Sequence, residues 1–251
     1  ADATVLRRLH PALAVAVASV PWADTTTRVR GIALWRAALP AATSLKLATK
    51  APLRRGRTFA ALEGVTVLDT TYCGNVTDDV IARLPSTLRA LNVAECTQVT
   101  PHASFTHLPA LEWLDCSSTC ALAEGVTRLP PSLRELHLRE CKVPDTADFS
   151  HLRHLQVMRT RWYVLSSNSA ATLPPSLEVL DIGNEHKLWH QDLHGRSLAH
   201  LTRLSVLKAS RNTIDDAAIA ALPPSLNELE LEGCNKFTFA ASFAHLACLR
   251  T

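Results

Sequence analysis

The chain is poor in the residues that build a core around large rings: only 5% of its 251 residues are aromatic, with two tyrosines, and there is a single methionine. With 47% hydrophobic residues it can still bury a large core, but one made of many small, similar layers. Its eight glycines are scattered and form no phosphate loop, and no nucleophile elbow or metalloprotease helix is present. Enzymatic chemistry and a bound cofactor are therefore not expected. Neither sign of charge prevails, 26 Lys and Arg standing against 23 Asp and Glu, so no overall field draws the chain to nucleic acid or an anionic membrane. Seven cysteines, an odd number without a CxxC pair, do not read as a disulfide-stapled secreted module. A reducing, intracellular and cytoplasmic setting is expected. The apolar run 12–20 is too short to cross a bilayer. Two arginines ahead of it give LRRLHPALAVAVASVPWA the look of a secretory leader, but a folded helix is expected there, and no membrane partner.

What the chain has in abundance is one phrase. LPPSLRELHLREC starts at Leu129, LPPSLEVLDI at Leu173, LPPSLNELELEGC at Leu222 and a looser copy, LPSTLRALNVAEC, at Leu84. Aligned on LxxLxLxxC, the first apolar slot falls at Val65, Leu88, Leu111, Leu133, Leu155, Leu177, Leu204 and Leu226, at intervals of 23, 23, 22, 22, 22, 27 and 22 residues. A weaker copy begins at Ala42, and Leu249 would open another. Apolar and polar residues alternate within each copy, so each predicts a short strand with one buried and one wet face. No copy can bury its leucines alone. Stacking in chain order gives a solenoid with a parallel sheet on the inner curve and connecting segments on the outer.

The ninth slot holds Cys73, Cys96, Thr119, Cys141, Asn212 and Cys234, small groups able to hydrogen-bond turn backbone that would otherwise be buried unpaired. Tyr163 and Glu185 break the slot, and the stack should be least regular there. A doublet of about 45 residues overlies the repeat, because copies introduced by LPxxL alternate with copies introduced by THLPAL, SHLRHL, AHLTRL and AHLACL. It places Phe105, Phe149 and Phe243 in the core and explains His107, His151, His200 and His245 without a catalytic role. TDDVIARLP from Thr77 and IDDAAIAALP from Ile214 read as short capped helices stopped by proline.

This pattern resembles the cysteine-containing leucine-rich repeats over residues 42–251. The LPPSL phrase is also similar to the repeats of some bacterial effectors, whose period is shorter. The resemblance implies an α/β solenoid of about nine repeats that acts as a binding scaffold rather than an enzyme.

Residues 1–41 lie outside the ladder and predict two or three short helices. ASVPWAD, followed eleven residues after Asp24 by Trp35 and Arg36, resembles an F-box, although Thr25 and Gly31 stand where that motif carries leucine and valine. The resemblance implies that Val17, Val20, Pro21 and Trp35 face or support the adaptor subunit of a cullin-type ubiquitin ligase, with the repeats choosing its substrate. The alternative is a helical cap over the first repeat. On the alternative functional reading, the chain is a structural or adaptor subunit of a larger protein or ribonucleoprotein assembly.

The polar slots of the strands predict the partner surface. The fifth-slot column runs Asp69, Asn92, Asp115, His137, Arg159, Asp181, Lys208, Glu230, and the seventh-slot column Thr71, Ala94, Ser117, Arg139, Arg161, Gly183, Ser210, Glu232. Basic and aromatic residues gather in the middle: Arg139, Arg159, Arg161 and Trp162, with Trp113 and His137 beside them and Lys208 and Arg211 beyond, a composition typical of interface hot spots. Forked guanidinium donors suit an acidic or phosphorylated peptide. Pairing of the same arginines with Glu135, Glu140 and Asp181 across the sheet is the competing reading. The long copy carries NEHKLWHQDLHGRS, where Trp189 suits a contact loop better than His186, His190 and His194 suit a metal. Residues 46–57, with five basic residues and no acid, are a solvated loop or a contact for nucleic acid.

Overall fold

The computed structural model describes residues 11–49, 51, 53, 57–119, 126–141, 143–161, 165, 167–184 and 198–250. Ten short strands pair in parallel, each with the next in chain order: β1 Arg28–Val29, β2 Ser44–Leu47, β3 Val67–Asp69, β4 Ala90–Asn92, β5 Trp113–Asp115, β6 Glu135–His137, β7 Val157–Arg159, β8 Val179–Asp181, β9 Val206–Lys208 and β10 Glu228–Glu230. The register joins like slots. Leu45, Leu68, Leu91, Leu114, Leu136, Met158, Leu180, Leu207 and Leu229 lie side by side, and all but Leu229 are fully buried. The ladder of sequence thus becomes a continuous aliphatic column, with Phe105 and Phe149 filling the space beneath the outer segments.

Two features depart from the expected layout. The front segment contributes a strand: Arg28 and Val29 pair with Lys46 and Leu47, so the sheet begins before residue 42. The β-branched run TTTRV favours extended chain over helix there. At the other end Phe243 is 37% exposed instead of buried, because β10 has a neighbouring strand on one side only. Tyr163 and Glu185 lie outside the described residues.

Hydrogen bonds explain why the phrase recurs. The prolines open turns in which the first-slot leucines Leu88, Leu133, Leu177 and Leu226 donate their N–H to Pro85, Pro130, Pro174 and Pro223. The serine of LPPSL then reaches one repeat back: Ser132, Ser176 and Ser225 Oγ donate to the first-slot carbonyls of Leu111, Leu155 and Leu204 at 2.7–2.8 Å, and Thr87 does the same to Val65. Ninth-slot side chains form a second ladder. Cys96, Cys141 and Cys234 Sγ donate to the sixth-slot carbonyls of Thr70, Cys116 and Ala209, and Asn212 Nδ2 to that of Ile182. Each repeat therefore satisfies buried carbonyls of the one before it. Burial pushes the Cys73 and Cys141 thiols up to about 11 and raises Cys116 well above its ordinary range, as suits donors rather than nucleophiles.

The outer segments include α1 Pro11–Ser19, α2 Ile32–Ala38, α3 Arg57–Ala60, α4 Asp78–Ile81, a 3-10 turn Val126–Arg128, α5 Ser167–Ala171 and α6 Asp216–Ala220. The two helices expected from sequence are capped as expected: the Thr77 hydroxyl accepts from Val80 N, and Asp215 Oδ1 accepts from Ala218 N at 2.8 Å.

Candidate functional site

Register places the polar columns on one inner wall. Asp69, Asn92, Asp115, His137, Arg159, Asp181, Lys208 and Glu230 stand in one row across β3 to β10. In four copies the fifth-slot side chain folds back on its own turn: Asp69, Asn92, Asp115 and Asp181 accept the N–H of Thr71, Ala94, Ser117 and Gly183. These groups brace the turns. His137, Arg159, Lys208 and Glu230 sit in the same row without that constraint.

An open groove of about 540 Å³ crosses the wall, lined among others by Asp115, His137, Arg139, Arg159, Arg161 and Asp181. His137 Nε2 lies 2.6 Å from Glu135 Oε1, and its ring packs on Trp113 with centroids 5.3 Å apart. Arg161 Nε donates to Asp181 Oδ2 at 3.0 Å, where Asp181 is only 1% exposed. Arg159 is held more loosely, with Nε 3.9 Å from Glu135, beyond hydrogen-bond distance, and Arg139 Nε lies 3.7 Å from Glu140. The cross-strand pairing read from sequence as the competitor of binding is therefore present, tight at Arg161 and loose at Arg159. Lys208 and Arg211 line a smaller adjoining hollow of about 160 Å³ with Glu230 and Glu232. Bonds to Glu228 and Glu230 raise Lys208, and Ser210 and Lys208 hold Glu230 below the usual carboxylate range. Trp162 lies outside the described residues, as do 185–197 with Trp189 and the three histidines.

One column of the groove was not foreseen. The eighth-slot residues Tyr72, Glu95, Ser118, Glu140 and Arg211 have φ of 54–63°, and Gly233 occupies the equivalent position at 73°. Each non-glycine member donates its N–H to the seventh-slot carbonyl of the next copy, for example Glu95 to Ser117 at 3.0 Å. The left-handed turn brings Tyr72, Glu95, Ser118 and Glu140 to the groove rim. Gly233 in the slot was the one sequence signal of a positive φ.

At the front, Val17 is buried while Val20 and Pro21 are exposed, and Trp35 packs half-buried on the core. Arg36 stacks over Trp35 at 4.7 Å and donates to the carbonyls of Ala61, Pro40, Ala42 and Glu63, each at 2.8–2.9 Å. The tryptophan-arginine pair thus faces the repeats. Trp22 continues the stack, its carbonyl accepting from Thr43 and Ser44. In 46–57, Lys46 belongs to β2 and pairs with Asp69 at 2.5 Å. Burial raises the Asp69 carboxyl, but the bonds from Lys46 and Thr71 outweigh it and leave it lowered. Residues 50, 52 and 54–56 lie outside the described ones. Among the described residues no group of three or more His, Cys, Asp or Glu could hold a metal ion, and no helix is long and apolar enough to cross a membrane.

None of the known protein-family models matches the chain, and none of the curated proteins does. Solved structures do. An internalin from Listeria monocytogenes superposes with a TM-score of 0.64 at 18% identity, covering 85% of this chain and 61% of that one. The functional domain of InlJ from the same organism, described as including a cysteine ladder, gives 0.57 at 16%, covering 83% and 43%. The mouse RP105/MD-1 complex gives 0.55 at 19%, covering 80% and 35%. The fold is a leucine-rich-repeat solenoid. The chain spans less than two thirds of the length of each of these three proteins.

Proposed function

We propose that this solenoid is a non-enzymatic protein-recognition scaffold whose inner wall is the binding surface. The observation that carries the reading is the groove in which His137, Arg139, Arg159 and Arg161 converge, with Trp113 packed on His137 beside it. Arginine and tryptophan on a concave, preformed surface supply anchors at low ordering cost. The mouse protein with a related fold is described in complex with MD-1, in keeping with a protein partner here. A photo-crosslinking residue at Ser117, on the groove, should capture a discrete partner in cells, whereas the same residue at Ala220, on the outer segment, should not. Equal capture from both positions would remove the inner wall as the site.

We assign residues 1–41 to the cap of the solenoid and 42–251 to the repeats. Arg36 carries this assignment, since its bonds to Ala42, Ala61 and Glu63 tie the segment to the first layers. An F-box-type role, with the chain as substrate receptor of a cullin-RING ligase, rests on the order of motifs and on exposed Val20 and Pro21. Recovery of the ligase adaptor, lost in Pro21→Ala, supports it, and failure to recover the adaptor leaves the cap alone. A reducing compartment fits the cysteine ladder, because a thiol donates to a carbonyl only while it keeps its proton.

A further inference from the structure

The middle of the groove holds a cation that the fold leaves unsatisfied. Arg159 stands on the central strand β7, its side chain 43% exposed, and donates no hydrogen bond to any described residue. Its Nε is buried without a partner; of the acids beside it, Glu135 at 3.9 Å already lies 2.6 Å from His137 Nε2, and Asp181, its register partner on β8, accepts from Arg161. A guanidinium that lines an open groove with a desolvated Nε–H and no acceptor for it suits an anionic group.

Two further arginines surround it. Arg161 stands two residues on, in the turn after β7, roughly 6.5–7 Å away, and Arg139 holds the equivalent place after β6, roughly 5 Å from Arg161 between backbones. Three forked donors within that triangle suit one group with several acceptor oxygens better than a row of separate carboxylates. A carboxylate ligand would bring no more charge than Glu135 and Glu140 already offer. A phosphoryl group carries about −1.5 to −2 and three strong acceptors, enough to displace the loose contact of Arg159 at 3.9 Å. The groove runs from Arg159 toward β3 past Ser117, Ser118 and Thr71, and a smaller hollow with Ser210 and Lys208 adjoins it on the other side, which gives a peptide room on both flanks of the anion. A flat bilayer could not reach the floor of an inward-curving wall.

We propose that the inner wall takes a phosphoserine-containing peptide segment, its phosphate on Arg159 between Arg139 and Arg161. This rests on the inner wall being the recognition surface, and it specifies the ligand. The test is retention of the full chain on immobilised peptide pools, degenerate except for a fixed central phosphoserine, serine or aspartate. Retention on the phosphoserine pool should exceed the other two at least tenfold. It should be competed by phosphoserine peptide well below the concentration at which inorganic phosphate competes. Arg159→Gln should abolish it and Arg139→Lys weaken it, both with an unchanged unfolding midpoint, while Arg203→Gln on the paired edge residue leaves it intact. Equal retention on serine or aspartate, equal competition by inorganic phosphate, or indifference to Arg159→Gln would overturn the proposal. If crosslinks from Ser117 persist after such a result, the phosphate alone is lost; if they too are absent, the recognition wall falls with it.

Discussion

Leu136→Ala is the sharpest probe of how this stack holds together. Leu136 is fully buried in the central strand β6, with Leu114 and Met158 directly beside it in register. Flanked on both sides by equally buried neighbours in a hydrogen-bonded sheet, the site has little freedom to collapse, so truncation should cost about 2–5 kcal/mol. Leu229 occupies the same slot in β10 but is half-buried, with Leu207 on one side and no strand on the other. Leu229→Ala should cost about half as much or less, in proportion to the apolar surface it removes from contact. Arg159→Ala, on the wet face of the same sheet, should stay within about 0.5 kcal/mol. In a stack where each layer touches only its neighbours, a central lesion also uncouples the two halves. Hydrogen exchange resolved by strand is therefore the assay, read beside urea unfolding. Leu136→Ala should lower protection from β5 to β7 most. Equal costs at Leu136 and Leu229, or a cost at Arg159 matching that at Leu136, would refute the layered packing.

The left-handed eighth slot gives a prediction of sign. Glu95, at φ 58° and without a hydrogen bond from its side chain among the described residues, should tolerate Gly with no loss or a gain of up to about 1 kcal/mol, whereas Glu95→Val should lose about 1–3 kcal/mol by urea midpoint. His107 gives a pH dependence. Burial lowers its imidazole against the opposing pull of the Ile81 and Leu84 carbonyls, so the unfolded chain binds the proton more readily than the folded one. Its contribution is fully present above the ordinary value of 6.5 and is lost as pH falls from there through the folded value; unfolding midpoints between pH 7.5 and 5 should show the decline, and His107→Asn should flatten it. Thiol accessibility follows the ladder: Cys248, which is exposed, should react with iodoacetamide in the native protein, while Cys73, Cys96, Cys116 and Cys141 should react only on unfolding, as peptide mapping would report.

Most of the architecture was legible because a period in the low twenties forces like residues into like places, and a buried slot tolerates little besides Leu, Ile, Val or Met. The fifth- and seventh-slot columns followed from alternation alone, since side chains on a strand change face at every residue. What alternation could not reveal was anything set by turns. The eighth slot carries Tyr, Glu, Ser, Glu, Arg and Gly, a set without common chemistry, because only its backbone is constrained and its side chain stands at the rim. The role of the LPPSL serine was hidden for a similar reason: it bonds to the carbonyl of Leu111, Leu155 or Leu204, a partner that lies a full repeat away in sequence.

The front segment shows where a motif and its surroundings part company. Trp35 and Arg36 suggested a docking helix by their types and spacing, and the same two residues have the chemistry of an anchor. Four carbonyls accept from one guanidinium, and a planar fork in a partly buried site binds main-chain oxygens as readily as it would a partner's carboxylate. A solenoid exposes an aliphatic column at its first layer, which must be covered for the stack to stay in solution. Here Ile32 of α2 is buried as part of the continuous core, and the strand Arg28–Val29 pairs with the outer edge of β2. The pair is thus spent on the solenoid, while the apolar side chains the segment leaves to solvent are those of Val15, Val20, Pro21 and Leu34.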